Sequence, residues 1–162
     1  MMRADEIKFK GIRVDNGGWI YGDLVHYFFI KMGKRTDHVS IGVDLDFYDV
    51  IPETVCIFPG LKDKNGVEIY ERDKFKYRKH DGYMLPDFIG VVGFKDGSFG
   101  YYVITEQSDI SNEFHPFSYH EELQEDFLDY IEVIGNIHDK AQQNQAIIDM
   151  MRGDEKLGLY DE

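Results

Sequence analysis

Short turn sequences rich in glycine and asparagine recur along this chain, and they constrain its fold more than any other feature. Asp15-Asn16-Gly17-Gly18, Asn65-Gly66 and Lys95-Asp96-Gly97-Ser98 each lie between runs of apolar and aromatic residues. Asn, Asp and Gly accept the positive φ that tight hairpin turns need, and Asn-Gly favours a type I′ turn. The sequence therefore predicts antiparallel hairpins built from short strands.

The N-terminal third is predicted to form strands. Residues 7–13 alternate apolar and polar side chains, and residues 19–27 return from the first turn, with Gly22 as a candidate bulge. The polar run 31–38 (KMGKRTDH) is predicted to be a loop. Further short extended segments are predicted at 39–43 and 53–58.

A second β-rich unit is predicted to begin near Gly60. Its strands are expected at 69–70, 75–77, 88–94, 99–104 and 131–137. Short strands separated by glycine-containing turns about every 8–12 residues are typical of a small barrel or a sandwich. Four cations are expected to mark a solvated strand edge: Lys74, Lys76, Arg78 and Lys79.

Helices are predicted only late in the chain. Ser118 and Glu121 match a capping box, which favours a short helix near 118–129. Its apolar stripe would consist of Tyr119, Leu123 and Phe127. A final helix is predicted over 139–152, where apolar residues occur on more than one side, followed by a tail.

The acidic charge of the chain is concentrated in its second half. The full chain has 18 Lys and Arg against 31 Asp and Glu, a formal net charge of −13. Residues 1–80 carry 14 basic and 13 acidic side chains, whereas residues 81–162 carry 4 and 18. Because nucleic-acid affinity rests on Lys and Arg, this field disfavours nucleic acid as a partner. It favours a basic protein partner, or it serves solubility alone.

The sequence lacks the motifs of known catalytic, cofactor and metal sites. Cys56 is the single cysteine, which excludes an intramolecular disulfide, and it is predicted to be a small buried side chain. No nucleophile elbow, Walker loop or dinucleotide fingerprint occurs. The histidines are predicted to be solvated or turn residues: His26, His38, His80, His115, His120 and His138. We therefore predict no enzyme activity, no cofactor and no metal.

Composition indicates a globular protein away from membranes. Hydrophobic residues make up 43% of the chain and aromatic residues 15%, which is too rich in core material for a disordered chain. No apolar run approaches the roughly 18 residues of a membrane span, and the N-terminus lacks the apolar segment of a signal peptide. A cytoplasmic protein with no membrane partner is predicted.

Six blocks of residues resemble the YopX family, whose members are encoded by bacteriophages and prophages. The blocks are 7–11 (IKFKG), 19–22 (WIYG), 52–55 (PETV), 60–66 (GLKDKNG), 69–71 (IYE) and 132–137 (EVIGNI). The resemblance implies a mostly β protein with an SH3-like barrel portion. It implies neither catalytic residues nor a cofactor, and it implies the cytoplasm of a bacterial host cell.

The chain departs from the family pattern at three positions. Cys56 stands where the family usually has Gly, and Pro59 where it usually has Thr. Arg72 replaces the Gly of the usual Glu-Gly-Asp turn. Since glycine is the residue that accepts positive φ most readily, its loss predicts that residue 72 does not adopt positive φ.

Candidate contact residues fall into three groups. Trp19 and Tyr21 are candidates for an aromatic binding surface, although filling the core is the competing interpretation. Acidic candidates for protein contact are Glu121, Glu122, Glu125, Asp126 and Asp129. Apolar candidates on the final helix are Ile147, Ile148 and Met151. That helix would pack on its own subunit or on a second one.

The sequence thus predicts a mainly β fold, α+β by content. It would contain short-stranded antiparallel sheets, an SH3-like small barrel and one or two C-terminal helices. The predicted domains are a β-rich region at 1–59, a barrel-type region at 60–138, and a helix with tail at 139–162. The predicted function is that of a non-enzymatic protein-interaction or oligomeric module whose biochemical role is undetermined. The predicted partners are a second copy of the chain, in a homo-oligomer, and a basic host or phage protein. The alternative is an acidic mimic of nucleic acid that blocks a host nucleic-acid-binding protein.

Overall fold

A computed structural model describes residues 3–81, 85–107, 109–122 and 126–139, without the side chains of Glu121 and Glu122. The described chain forms two compact units. Unit 1 consists of Arg3–Ile57 with residues 138–139, and unit 2 consists of Phe58–Ile137. Each unit contains one five-stranded antiparallel sheet, so the predicted mainly β class is confirmed. The domain boundaries drawn from the sequence stay a prediction.

Unit 1 is a sheet with the strand order β4-β3-β2-β1-β5. Its strands are β1 (Phe9–Ile12), β2 (Trp19–Lys31), β3 (Lys34–Val43), β4 (Asp46–Asp49) and β5 (Cys56–Ile57). Short 3-10 helices span Ala4–Glu6 and Pro52–Thr54. The predicted first hairpin is confirmed, because Ile12 pairs with Trp19 and Gly17 has a φ of 70° in the turn.

The predicted loop at 31–38 is wrong. Strand β2 continues to Lys31, and Met32 and Gly33 alone turn the chain back into β3. Their φ angles of 51° and 75° are those of a type I′ turn. The polar residues that resemble a loop alternate along β3, where Thr36, His38 and Ser40 are buried. Cross-strand packing therefore overrides the local polar signal.

Gly22 permits two strands to approach closely. The pairing of β1 with β2 runs through Phe9 and Gly22 without a shift of register, so Gly22 does not mark a bulge there. A Cβ atom at this position would overlap the carbonyl oxygen of Gly42 on β3. Glycine is required at this point by space rather than by backbone angle.

A buried hydroxyl organises the small core of unit 1. Ile12 and Ile51 are buried, with Trp19 packed against them. The Thr54 hydroxyl accepts a hydrogen bond from the Ile12 amide at 2.9 Å and donates one to the Ile51 carbonyl at 2.6 Å. Cys56 is fully buried, as predicted.

Unit 2 is a sheet with the strand order β10-β6-β7-β8-β9. Its strands are β6 (Asp73–Tyr77), β7 (Phe88–Lys95), β8 (Ser98–Ile104), β9 (Ile110–Pro116) and β10 (Ile131–Asn136), with helix α1 at Phe117–Glu122 and a 3-10 helix at Phe127–Tyr130. The sheet is open rather than a closed barrel. Strand β6 lies between β10 and β7, so the predicted strand edge at its lysines is wrong.

The turns of unit 2 agree with the sequence in part. Asp96 and Gly97 have φ angles of 51° and 80° and close the predicted β7–β8 hairpin. At Asn65-Gly66 a type I′ turn was expected, but only Gly66 of this pair has positive φ, at 77°. The Asp63 carboxylate instead accepts hydrogen bonds from the amides of Asn65 and Val67, which fixes the loop.

Aromatic side chains fill the core of unit 2. Buried members of the cluster include Phe75, Tyr77, Tyr101, Phe117 and Phe127. The ring centroids of Phe75 and Tyr101 lie 5.4 Å apart in an edge arrangement, and those of Tyr77 and Phe127 lie 5.3 Å apart in a stacked one. Such pairs add to the free energy that burial alone provides.

The predicted helix near 118–129 is shorter and differently placed. Helix α1 begins at Phe117, so Ser118 lies inside it and does not cap it. Tyr119 is 54% exposed, because Phe117 and His120 are the residues that face the core. Leu123 and the predicted helix at 139–152, apart from its first residue, lie outside the described residues.

Arg72 adopts positive φ, at 66°, so the prediction drawn from its departure from the family pattern is wrong. Its amide donates to the Val92 carbonyl at 2.7 Å, and its carbonyl accepts from the Ile137 amide at 3.1 Å. These two bonds hold the backbone in the conformation that glycine adopts more readily.

Within the described ranges, no helix is long and apolar enough to cross a membrane.

Candidate functional site

The β2–β3 hairpin extends past the rest of its sheet. Strand β1 pairs with β2 over residues 19–22, and β4 pairs with β3 over residues 40–43. Residues 27–38, which we name the arm, form a two-stranded ribbon beyond both. Because an isolated two-stranded ribbon is marginally stable in water, a ribbon of this kind commonly gains stability by contact with something else.

The end of the arm carries four exposed apolar side chains, which we name the tip cluster. The exposed fractions are 51% for Phe28, 59% for Phe29, 68% for Ile30 and 94% for Met32. Successive side chains of a strand point to opposite faces, so Phe28 and Ile30 lie on one face of the ribbon and Phe29 on the other. Exposed apolar side chains concentrated at one end of an element are typical of an interaction site.

Cations surround the tip cluster. Lys31 and Lys34 pair across the ribbon next to the turn, and both are exposed. The Arg35 guanidinium lies 4.2 Å from the centroid of the Phe28 ring and 2.8 Å from a carboxylate oxygen of Asp37. The end of the arm is therefore both apolar and positively charged, within a chain whose net charge is negative.

The backbone of Met32 adopts an unfavourable conformation at the most exposed point of the arm. Its φ is 51°, a region where residues other than Gly, Asn and Asp lose about 1–2 kcal/mol. Its side chain is 94% exposed and gains little from burial. Backbone strain of this kind is characteristic of functional positions. An apolar residue where Asn or Gly would fold better points to a contact made by its side chain.

Packing on one face holds the two strands of the arm together. The ring of His38 is 5% exposed and stacks on Tyr27 with a centroid distance of 5.0 Å. Phe29 meets the same ring edge-on at 5.4 Å. His38 and His120, both predicted to be solvated or turn residues, are in fact buried. The stacked rings position Phe29 beside the turn.

A carboxylate anchors the base of the arm. The Tyr27 hydroxyl and the Ser40 hydroxyl each donate a hydrogen bond of 2.6 Å to Oδ1 of Asp49 on β4. Burial raises the pKa of Tyr27, and the bond to Asp49 raises it further. The phenol is therefore held in its neutral form, in which it can donate to the carboxylate.

The two aromatic candidates from the sequence have different surroundings. Trp19 is half-buried against Ile12, and its Nε1 donates to Oδ1 of Asp139 at 3.1 Å, with the Lys10 ammonium 4.6 Å from the ring centroid. Tyr21 is 51% exposed. Trp19 thus contributes to the core of unit 1, and a joint aromatic surface of the two stays a prediction.

The acidic and apolar contact candidates lie largely outside the described residues. Asp126 and Asp129 are described, and both are exposed. Glu121 and Glu122 lie on α1, but their side chains are outside the description. The others are not described at all: Glu125, Ile147, Ile148 and Met151.

Two buried polar side chains of unit 2, His120 and Asp73, are engaged in structural contacts. The Tyr101 hydroxyl and Nε2 of His120 lie 2.8 Å apart, and the His120 ring stacks on Phe127 at 4.0 Å. Asp73 is 1% exposed, and its carboxylate accepts from the Tyr70 amide and from the Asn136 side chain. In the part of the chain that the structure describes, no group of three His, Cys, Asp or Glu side chains is placed to hold a metal.

Comparison with known proteins decides the family. The model of the family described as YopX protein matches residues 8–143. The chain belongs to the YopX family. This confirms the resemblance seen in the six sequence blocks, which lie between residues 7 and 137.

A solved structure similar to this YopX family member is that of protein EF1440 from Enterococcus faecalis. The two are 23% identical with a TM-score of 0.45, and the match covers 85% of this chain and 96% of that chain. None of the curated proteins compared with the chain matches it.

Sequence reasoning missed the arm, although a signal for it was present. Phe28, Phe29 and Ile30 are consecutive, and a strand must place consecutive side chains on both of its faces. In a unit whose sheet packs on a core with one face, side chains on the other face are exposed. At least one of the three consecutive residues is therefore expected to be exposed. The Met32-Gly33 pair hid this signal, because Met is not a usual turn residue.

Proposed function

We propose that this YopX family member is a non-enzymatic protein-interaction module and that it binds another protein chain through the tip cluster of the arm. The observation that carries the proposal is Met32, whose side chain is 94% exposed on a backbone with a φ of 51°. A turn selected for folding alone would have Asn or Gly there.

Covering the tip cluster would provide a useful amount of binding energy. Full burial of a large apolar side chain contributes about 1.5–3 kcal/mol, and these four are half-exposed or more, so each would contribute on the order of 1 kcal/mol or above. Association costs several kcal/mol in lost freedom, so the cations beside the cluster must add to the contact. A partner with acidic side chains around an apolar patch fits this surface.

The proposal also includes the arrangement of unit 2, the origin of the protein and the identity of its partners. An SH3-like arrangement of unit 2 is supported by its strand order, in which the last strand returns to pair with the first. Phage origin is supported by the resemblance to the family. A homo-oligomer through Ile147, Ile148 and Met151, a basic host or phage partner for the acidic second half, and the nucleic-acid mimic stay predictions from the sequence.

A double variant of the arm tests the proposal. Ile30→Thr with Met32→Asn removes apolar surface while keeping a residue that favours strands at 30 and one that favours the turn at 32. We expect the double variant to show no self-association in light scattering and to capture no protein partner from a bacterial lysate. Its unfolding free energy should stay the same or rise. Leu45→Asn is the matched control, because Leu45 is 93% exposed in a different turn.

One result would contradict the proposed role of the tip cluster. If the wild type and the double variant associate equally, with Leu45→Asn indistinguishable from both, the tip cluster is not the contact surface. Contact that persists in the double variant but is lost on charge reversal of the acidic second half would instead support the nucleic-acid mimic.

A further inference from the structure

We propose that the chain bound by the arm is a second copy of this protein, and that it is received at the edge strand β9 of unit 2. This rests on the proposed function of the arm and names its partner. In the proposed contact, the arm lies along β9 of the other copy, and Phe28 and Ile30 meet the apolar side chains of a groove beside that strand.

Charge is complementary between the two surfaces. Residues 28–35 contain three cations, Lys31, Lys34 and Arg35, and no acidic residue. Residues 96–139 contain 11 acidic residues and neither Lys nor Arg. Beside and on β9, the side chains of Glu106, Asp109 and Glu113 are all exposed. Opposite charge at short range accelerates association and fixes orientation.

The groove next to β9 has a mixed lining of apolar and polar residues and lies wholly within unit 2. It is an open groove of about 510 Å³ whose apolar lining includes Val91, Phe94, Tyr102 and Ile110. Its polar lining consists of Glu71, Arg72, Ser111 and Asn112. Phe94 is 52% exposed and Ile110 is 49% exposed. Gly93 forms part of its wall, and a Cβ atom there would lie 2.6 Å from the Tyr102 ring.

The backbone of β9 and that of the arm are also suited to pair with each other. β9 is the last strand of its sheet, with β8 as its neighbour among the described strands. It contains seven residues, and the part of β2 beyond its pairing with β1 contains residues 23–31. An edge strand is a template for one further strand, in which backbone hydrogen bonds give affinity and alternate side chains give specificity.

The alternation of side chains then assigns a role to each face of the arm. Phe28 and Ile30 share one face and would meet the groove, while Tyr27 and Phe29 pack on His38 on the opposite face. Lys31 and Lys34 at the end of the ribbon would lie near the acidic side chains of β9. Each copy has one arm and one β9, so the contact is either exchanged within a closed oligomer or repeated along a chain of copies.

A charge-swap experiment on the full chain tests the inference. The arm variant is Lys31→Glu, Lys34→Glu and Arg35→Glu, and the edge variant is Glu106→Lys, Asp109→Lys and Glu113→Lys. We expect each alone to be monomeric in light scattering at concentrations where the wild type associates, with a dissociation constant raised about tenfold or more. Mixing the two variants should restore association, because an acidic arm then meets a basic edge. Added salt should weaken the wild-type contact.

Controls keep the result interpretable. Asp5→Lys, Asp46→Lys and Glu53→Lys change the net charge as much as the edge variant does, at exposed positions of unit 1 outside the arm, and should leave association unchanged. Circular dichroism checks folding, and the single change Glu113→Lys replaces the edge variant if the triple change unfolds it.

Three results overturn the inference: a monomeric wild type, an edge variant that associates like the wild type, or two monomeric variants whose mixture stays monomeric. In the second case, if the Ile30→Thr and Met32→Asn variant is still monomeric, the arm remains the contact surface and only its receiving site is wrong.

Discussion

Among single residues, Met32 and Arg72 are the two of four described non-glycine residues with positive φ that are not aspartate. Met32 and Arg72 have φ angles of 51° and 66°. They differ in surroundings, because Met32 is at the exposed end of the arm, whereas the backbone of Arg72 is bonded to Val92 and Ile137. The strain at Arg72 can therefore be measured with no change in the arm.

Replacing Arg72 with glycine should release this strain. We expect Arg72→Gly to be more stable than Arg72→Ala by about 1 kcal/mol, because both lose the same side chain and only glycine adopts positive φ freely. Urea unfolding of the two variants gives the difference. An alanine variant at least as stable as the glycine variant would show that residue 72 is unstrained.

Tyr27 should make stability fall at high pH. Burial raises its folded-state pKa above the unfolded value of about 10, so the stability that its neutral form contributes is fully present below about pH 10 and is lost as pH rises through the folded pKa. The wild type should therefore lose unfolding free energy relative to Tyr27→Phe between about pH 9 and pH 11. Urea unfolding at both pH values measures this, and a constant difference between the two proteins would contradict it.

At the scale of elements, the long β2–β3 hairpin depends on one close approach. Gly22→Ala should cost about 3 kcal/mol, because its Cβ would overlap the Gly42 carbonyl, which belongs to backbone and cannot rotate away. Gly18→Ala is the control, since its Cβ would meet only the Asn16 side chain. Thermal unfolding compares the two. Equal losses would mean that β2 and β3 are farther apart than described.

Elements marked by local chemistry could be predicted from the sequence. The turns at Gly17 and Gly97 and the strands β7, β8 and β10 follow from glycine positions and apolar runs. Strand β9 was missed because it is a polar edge strand, in which Ser111, Asn112 and Glu113 give no apolar alternation. Its formation depends on pairing with β8, which is a contact distant in sequence.

The arm shows the same limit at the candidate site. Thr36 and His38 are polar and are typical of a loop, yet both are buried, and the Tyr27 ring of the neighbouring strand stacks on His38. The sequence supplied the exposed apolar residues and the cations, but not the fact that they meet at one end of a ribbon. The contact residues placed by sequence on the acidic helix and the C-terminal helix stay predictions.

In the whole molecule, charge and exposed apolar residues are both distributed unevenly. The net charge of −13 arises almost entirely after residue 80. The cations and the exposed apolar residues of the arm lie before residue 80. A chain with both features on one copy can associate with itself without a dedicated partner. Self-association through the arm is therefore the proposal on which the predicted oligomer depends.

The oxidation rate of Met32 shows whether assembly covers the arm. Exposed methionine is oxidised to the sulfoxide readily, and a buried one slowly. Mass spectrometry can follow Met32 after a brief peroxide pulse at increasing protein concentration. If the arm is the contact surface, Met32 should oxidise fast in dilute protein and become protected as light scattering shows assembly. Assembly with Met32 still oxidised at the dilute rate would contradict the account.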